Sequence, residues 1–264
     1  MGHHERKNYC GNLLWKSCLT LLGPSKEIGM KKGTNSTQTR NKMSVPSATL
    51  STLPDVFIIE SLDRDMNGGV QGRSLATALS AFNRYPRYVD VSGKMEFLRA
   101  LESFKSAGYR YLHVSCHGNI PEDGLVLRNG EKLSFKTLIA WISKLHLPQT
   151  RLFISACGVG SKDQLANGLF SGRQTRAVHS VLAPGEDIDL IEALVFWVAF
   201  YGEMYMIDKS SMRDDDIVKI AQRATNCCGR KFSYYSYVPQ TNEIKHWSIV
   251  PTEIEPVSCV AYPL

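Results

Sequence analysis

From Asp55 to Pro239 the chain alternates between two hydrophobic rhythms. Short apolar, β-branched runs predict buried strands: "DVFIIESL" (55–62), "YRYLHVSCHG" (109–118), "TRLFISACG" (150–158), "AVHSVLAP" (177–184) and, as the last strand, "KFSYYSYVP" (231–239). Longer segments between them carry apolar residues at helical spacing. "RSLATALSAFNRY" (73–85) is one. "KMEFLRALESFKSAG" (94–108) is clearer: Phe97, Leu98, Leu101 and Phe104 share a face, and Gly108 stops it. Ser134 caps "FKTLIAWISKLH" with Leu138, Trp141, Ile142 and Leu145 inward. "SKDQLANGLFSG", the very apolar "DIDLIEALVFWVAFYGEMY" (187–205) and "DDDIVKIAQRATN" (214–226) complete the helices. "LVLRNGEKLS" reads as a hairpin turning at Asn129-Gly130.

Strands that alternate with helices imply an α/β fold, a mostly parallel sheet with helices on both faces. Ligands of such sheets sit at the carboxyl ends of the strands. Residues 1–54 lack this periodicity and are rich in Ser, Thr and Asn, the composition of a disordered leader. The domain is therefore expected at 55–264, and Met43 is an alternative start. The leader holds eight Lys/Arg against Glu5 and Glu27, which is the whole of the formal charge of +6. Residues 55–264 are neutral in sum, so the charge describes a basic tail rather than a nucleic-acid groove on the folded part. Nucleic acid or anionic lipid is expected as a partner only through that tail.

No uninterrupted apolar run approaches the roughly 20 residues of a membrane span. Lys16 splits the run in "NLLWKSCLTLLG" that imitates a secretory signal. The seven cysteines are odd in number and show no disulfide framework. Together these point to a cytosolic protein with reduced thiols.

Two strands end alike: "HVSCHG" stops at His117-Gly118 and "FISACG" at Cys157-Gly158. Along a strand, side chains alternate faces. His113, Ser115 and His117 share one face, Val114 and Cys116 the other, and Cys157 lies on the face of Phe153 and Ser155. Neighbouring strands in register would bring His117 and Cys157 out side by side. His117 would then favour the Cys157 thiolate, the actual nucleophile. The N–H groups of Gly118 and Cys157 would face a developing oxyanion, and Gly118 would let backbone approach a substrate without a Cβ. Zinc at His113, Cys116, His117 and Cys157 is disfavoured because Cys116 points away from the two histidines. "NGGVQG" lacks the Lys-Ser/Thr of a phosphate loop and reads as a loop bordering the site. Cys227-Cys228 reads as packing at a helix end, with a redox pair as the alternative. "SMRDDD" reads as a helix start with favourable acids.

At these residues, "HVSCHGN…DGLVL…LS" followed by "LFISACGVG", the chain resembles the caspase-like cysteine peptidase clan, most closely the CHAT group related to separases. The resemblance spans about residues 55–240. It implies a caspase-like three-layer sandwich, with His117 as general base or acid and Cys157 as nucleophile of peptide-bond hydrolysis, and no metal or other cofactor. It implies a protein substrate cut at one site, after a basic residue, with a regulatory protein partner and a role in bacterial defence or regulated cell death as further expectations. The pocket for the residue before the cut would draw on Asp63, Arg64, Asp65, Arg73, Glu186 and Asp187. Acids there would select Lys or Arg; Arg64 or Arg73 would select Asp. Asp187 is the first candidate, with Asp65 and Arg73 beside it. The competing expectation is a catalytically silent module that binds a partner through the same cleft.

Overall fold

A computed structural model describes residues 56–63, 71–119, 123–171, 176–207 and 212–252. All lie in a unit running from Leu50 to Leu264. The segment 1–54 and Asp65 lie outside the described residues.

The strands are β1 (Val56–Ser61), β2 (Arg87–Asp90), β3 (Tyr111–Asn119), β4 (Gly124–Val126), β5 (Lys132–Ser134), β6 (Arg151–Ser155), β7 (Ser180–Pro184), β8 (Phe232–Val238) and β9 (Glu243–Ile249). The helices are α1 (Gln71–Ala81), α2 (Lys94–Ala107), α3 (Phe135–Leu145), α4 (Gln164–Phe170), α5 (Leu190–Ile207) and α6 (Asp214–Cys228). The main sheet has the order β2-β1-β3-β6-β7-β8-β9. Its first five strands are parallel, and β8 and β9 are antiparallel. The fold is thus α/β on a mixed, mostly parallel sheet.

Alternation along the buried strands divides the core into two faces. Phe57, Ile59, Leu112, Val114, Leu152, Ile154 and Val181 pack under α2, α3 and α4. Val56, Ile58, Tyr111, Phe153, Leu182 and Tyr234 pack under α1, α5 and α6. Both β1 and β6 are buried along their whole length, which is why their sequences run apolar rather than alternating. Helix termini follow local chemistry. The Ser134 hydroxyl accepts the Thr137 N–H at 3.2 Å and starts α3, worth about 1 kcal/mol. Gly108 and Gly229 take left-handed conformations after α2 and α6, with φ of 73° and 68°.

Helix α5 is the one helix among the described residues long and apolar enough to cross a membrane, by length and composition. Here it lies on the sheet, burying Ala193, Phe196, Trp197, Phe200, Tyr201 and Met204. Trp197 meets Phe196, Phe200 and Phe232 in edge-to-face pairs, an arrangement that stabilises beyond area burial alone.

Two strands depart from expectation. Strand β8 is not the last, because β9 pairs with it over Phe232–Val238. Strand β2 adds a parallel edge beside β1. Strands β2 and β9 are the sheet edges, and β9 is mostly exposed. The predicted hairpin stands: β4 and β5 are antiparallel, with Gly130 at φ 83° in the turn.

Candidate active site

Strands β3 and β6 are parallel neighbours, with His113 opposite Phe153 and Ser115 opposite Ser155. Two residues beyond the last pair of that ladder come His117 and Cys157. Both line one cleft of about 240 Å3, together with Leu62, Gln71, Ser155, Ile188, Asp189, Leu190 and Ala193. The register that brings thiol and imidazole together is set by the apolar halves of the two strands, buried on both faces and fixed by the sheet.

The backbone around the thiol is tightly constrained. Gly158 turns left-handed, at φ 63°, and its N–H donates to the Glu186 carbonyl at 2.9 Å. A methyl group on Gly160 would lie 2.6 Å from the Ala183 carbonyl oxygen. The Tyr235 hydroxyl reaches that turn, 3.0 Å from the Gly160 carbonyl and 2.9 Å from Asp163. Gly118 has a different reason from the one expected. A Cβ there would lie 2.0 Å from the Cys157 carbonyl oxygen and 3.0 Å from its nitrogen. Glycine is required there by the backbone of Cys157 itself.

The side chains are freer than the backbone. The Cys157 thiol donates to the Ile188 carbonyl at 3.2 Å. The His117 side chain is 50% exposed, and its Nε2 lies 3.9 Å from Asp63 Oδ2. Asp63 thus stands beside the imidazole. The register contains the signal for this: Ser61 pairs with Cys116, so the residues after β1 run alongside His117.

His113 lies away from the cleft lining, and Cys116, although it borders the cleft, is largely buried. Cys116 is 3% exposed in the α2–α3 core, and burial, with the neighbouring Cys157, pushes its thiol up. His113 is fully buried, and desolvation lowers it to about 3, so it is neutral. Its ring nitrogens each lie 3.0 Å from a hydroxyl, Nδ1 from Tyr201 and Nε2 from Ser115, and Trp197 packs edge-on to the ring. Among the described residues no group of three His, Cys, Asp or Glu side chains is arranged to hold a metal ion.

The residues expected to set specificity divide. Asp187 is exposed and does not line the cleft; Asp189, two positions on, does. Asp189 and Glu192 form a reciprocal cap at the start of α5: Glu192 N–H donates to Asp189 Oδ1 at 2.7 Å, and Asp189 N–H to Glu192 Oε2 at 3.1 Å. The Glu186 carboxylate accepts the Lys231 N–H at 2.8 Å. Arg73 is exposed on the first turn of α1, away from the cleft lining. Gln71 belongs to the "NGGVQG" stretch expected to border the site, whereas Leu62, Ile188 and Asp189 carry no sequence signal that marks them as cleft residues.

No family model matches the chain, and no curated protein matches it. Among solved structures it is similar to a leucine-binding protein, LivK, from Thermotoga maritima, at 8% identity and a TM-score of 0.36. The alignment covers 75% of this chain and 61% of that one, so the chain spans less than two thirds of that protein's length.

Proposed function

We propose that the chain is a cysteine endopeptidase of caspase-like architecture, with Cys157 as nucleophile and His117 as proton carrier. One observation carries the reading. Parallel strands in register end on a thiol and an imidazole that line the same cleft, on a backbone clamped by Gly118 and Gly158. The order of parts supports it further: a strand ending in His-Gly, the β4–β5 hairpin, helix α3, then a strand leading into Ser-Ala-Cys.

In this mechanism the Cys157 thiol passes its proton to His117, and the thiolate attacks the scissile carbonyl carbon. The oxyanion meets the N–H groups of Gly118 and Cys157. His117 returns the proton to the leaving amine, and a thioester to Cys157 remains. Water, deprotonated by His117, then hydrolyses the thioester, releasing a carboxylate and restoring the thiol.

A second reading has its own observation. The Cys157 thiol donates to a carbonyl, Ile188, rather than to an imidazole. A caspase-like module that binds a partner without cutting it would keep its thiol so. One assay separates the two. Wild type and Cys157→Ala are incubated with fluorogenic peptides varied at the residue before the cut. Cleavage that disappears in Cys157→Ala establishes the peptidase. Absence of cleavage, with Cys157 alkylated no faster than a buried thiol at neutral pH, sinks it in favour of the binding module.

A further inference from the structure

Most of the cleft is apolar: Leu62, Ile188, Leu190 and Ala193 form walls. Among its polar lining residues, His117, Ser155, Asp189 and Gln71, the last stands out. It is 4% exposed, and among the described residues neither its Oε1 nor its Nε2 has a hydrogen-bond partner. Buried amides are almost always paired, so an orphaned one lining a cleft marks a place for a ligand group. Its neighbours hold the backbone there firmly. The Glu60 carboxylate, buried under α1, accepts the Gly72 N–H at 2.5 Å and the Tyr88 hydroxyl at 2.7 Å. A Cβ on Gly72 would lie 3.0 Å from Ile58 Cγ2 and 3.1 Å from Glu60 Cδ, so this turn packs without slack.

We infer that the cleft selects a side chain bearing a carboxamide, Gln or Asn, in the residue before the cut. The inference rests on Cys157 being the nucleophile, which makes this cleft the pocket beside the scissile bond. Its logic is donor and acceptor matching. Gln71 offers one acceptor and one donor group side by side. A carboxamide offers the complementary pair and satisfies both. A lysine ammonium or an arginine guanidinium only donates, and leaves Nε2 unpaired. A carboxylate only accepts, and leaves Oε1 unpaired. Asp189, the acid of the cleft, is exposed at its mouth and already accepts the Glu192 N–H. Solvent screens it there, so the buried amide decides which head group is taken. The apolar walls would receive the methylenes behind that head group.

The test separates pocket from chemistry. The 264-residue chain carrying Cys157→Ala is titrated into fluorescein-labelled hexapeptides that differ at one position, carrying Gln, Asn, Glu, Asp, Lys, Arg or norleucine, and polarisation is read. Gln or Asn peptides are expected to bind at least about tenfold tighter than the Glu, Lys and norleucine peptides, because a buried polar group left unpaired rejects the analogue. Adding Gln71→Met removes that discrimination. Adding Gln71→Glu, which only accepts, moves the preference to Lys; this second variant keeps the question answerable should the first fail to fold. Tightest binding of Lys, Arg or an acid to the unaltered pocket overturns the inference. So does discrimination that survives Gln71→Met, or no binding by any peptide below about 1 mM. The same peptides are then given to the wild-type chain. Gln peptides that bind but remain uncut refute the peptidase and leave the pocket; Cys157-dependent cutting after Lys or Arg refutes the pocket and leaves the peptidase.

Discussion

The central parallel strands carry polar clusters at both ends, and the two clusters differ in how fully they are bonded. At the amino end of β6 and β7, Arg151 lies 3.0 Å from Ser180 Oγ, 2.8 Å from Asp214 Oδ1 and 2.5 Å from the Tyr234 hydroxyl, and it also donates to the Met212 carbonyl. Asp214 takes further bonds from Tyr234, Ser236 and His179. At the carboxyl end, among the described residues, the Cys157 thiol bonds to a carbonyl, His117 is half-exposed, and the Gln71 amide has no partner. Both ends are made of residues that bond readily. A saturated cluster ties elements together; an unsaturated one is left open for another molecule. Polarity alone does not distinguish structure from function, whereas the number of unused donors and acceptors does.

The saturated end gives the largest expected effect. Arg151→Met leaves Asp214 ionised and partly buried without its main cation, and should destabilise the fold by about 3–5 kcal/mol. Urea unfolding measures this. The Arg151→Met, Asp214→Asn double variant should recover part of the loss, since no charge is then left unmatched. Equal losses in the single and double variants would show that the hub contributes packing, not pairing.

Acid should distinguish the hub from the neutral histidine beneath α5. His113 sits at about 3 when folded because burial penalises its charged form, against about 6.5 when unfolded. The unfolded chain therefore binds the extra proton as pH falls below 6.5, and stability is lost progressively down to about 3. Burial opposes ionisation of Asp214, but hydrogen bonds from His179, Ser236 and Arg151, and the Arg151 charge, outweigh it and hold the carboxyl well below the usual carboxylate range. Its contribution is present above about 3.9, the unfolded value, and falls away only below that. Acid unfolding of wild type should thus begin near pH 6, and His113→Gln should flatten the upper part of that limb, by several kcal/mol near pH 3. An unchanged limb in His113→Gln would mean other groups govern acid unfolding.

At the open end the backbone, not the side chains, is the rigid part, and Gly118→Ala probes it. Its Cβ would lie 2.0 Å from the Cys157 carbonyl oxygen, so one strand end must move. A shift of about 1 Å at a reacting group costs on the order of a hundredfold in rate. Peptide cleavage should fall by that much, with a smaller change in melting temperature. Unaltered cleavage would break the link between the two glycine turns.

Whether a feature is legible in the sequence depends on how local it is. Buried β1, β3, β6, β7 and β8 announce themselves as apolar runs, and the shared Gly punctuation after His117 and Cys157 is legible because parallel register repeats it on neighbouring strands. Edge strands β2 and β9 escape notice because an exposed edge needs no apolar run. The acids at the start of α6 are legible as helix-terminus residues, yet the first of them, Asp214, has its larger role as the partner of Arg151, 63 positions away. The resemblance puts specificity at Asp187, Asp65 and Arg73; of the two that are described, Asp187 and Arg73, neither lines the cleft, whereas Asp189 and Gln71 do. Gln71 falls in the Gly-rich stretch read as bordering the site, but nothing local singles it out there. Its meaning lies in a partner it lacks, and only coordinates show that.

The smallest expected effect bears most directly on the contrast between the two ends. Gln71→Met keeps nearly the same length while removing two unpaired buried polar atoms. At a saturated site such a change destabilises; here it should stabilise, by about 1 kcal/mol or somewhat more, because the desolvation penalty of the orphaned amide disappears. Thermal melting in the absence of any peptide measures it. A rise in melting temperature joined to loss of Gln and Asn discrimination means the fold carries an unfavourable group for the sake of recognition, the trade expected of a binding site. A fall in melting temperature would mean that Gln71 is satisfied in solution, and that the open end is nearer to the saturated one than its geometry indicates.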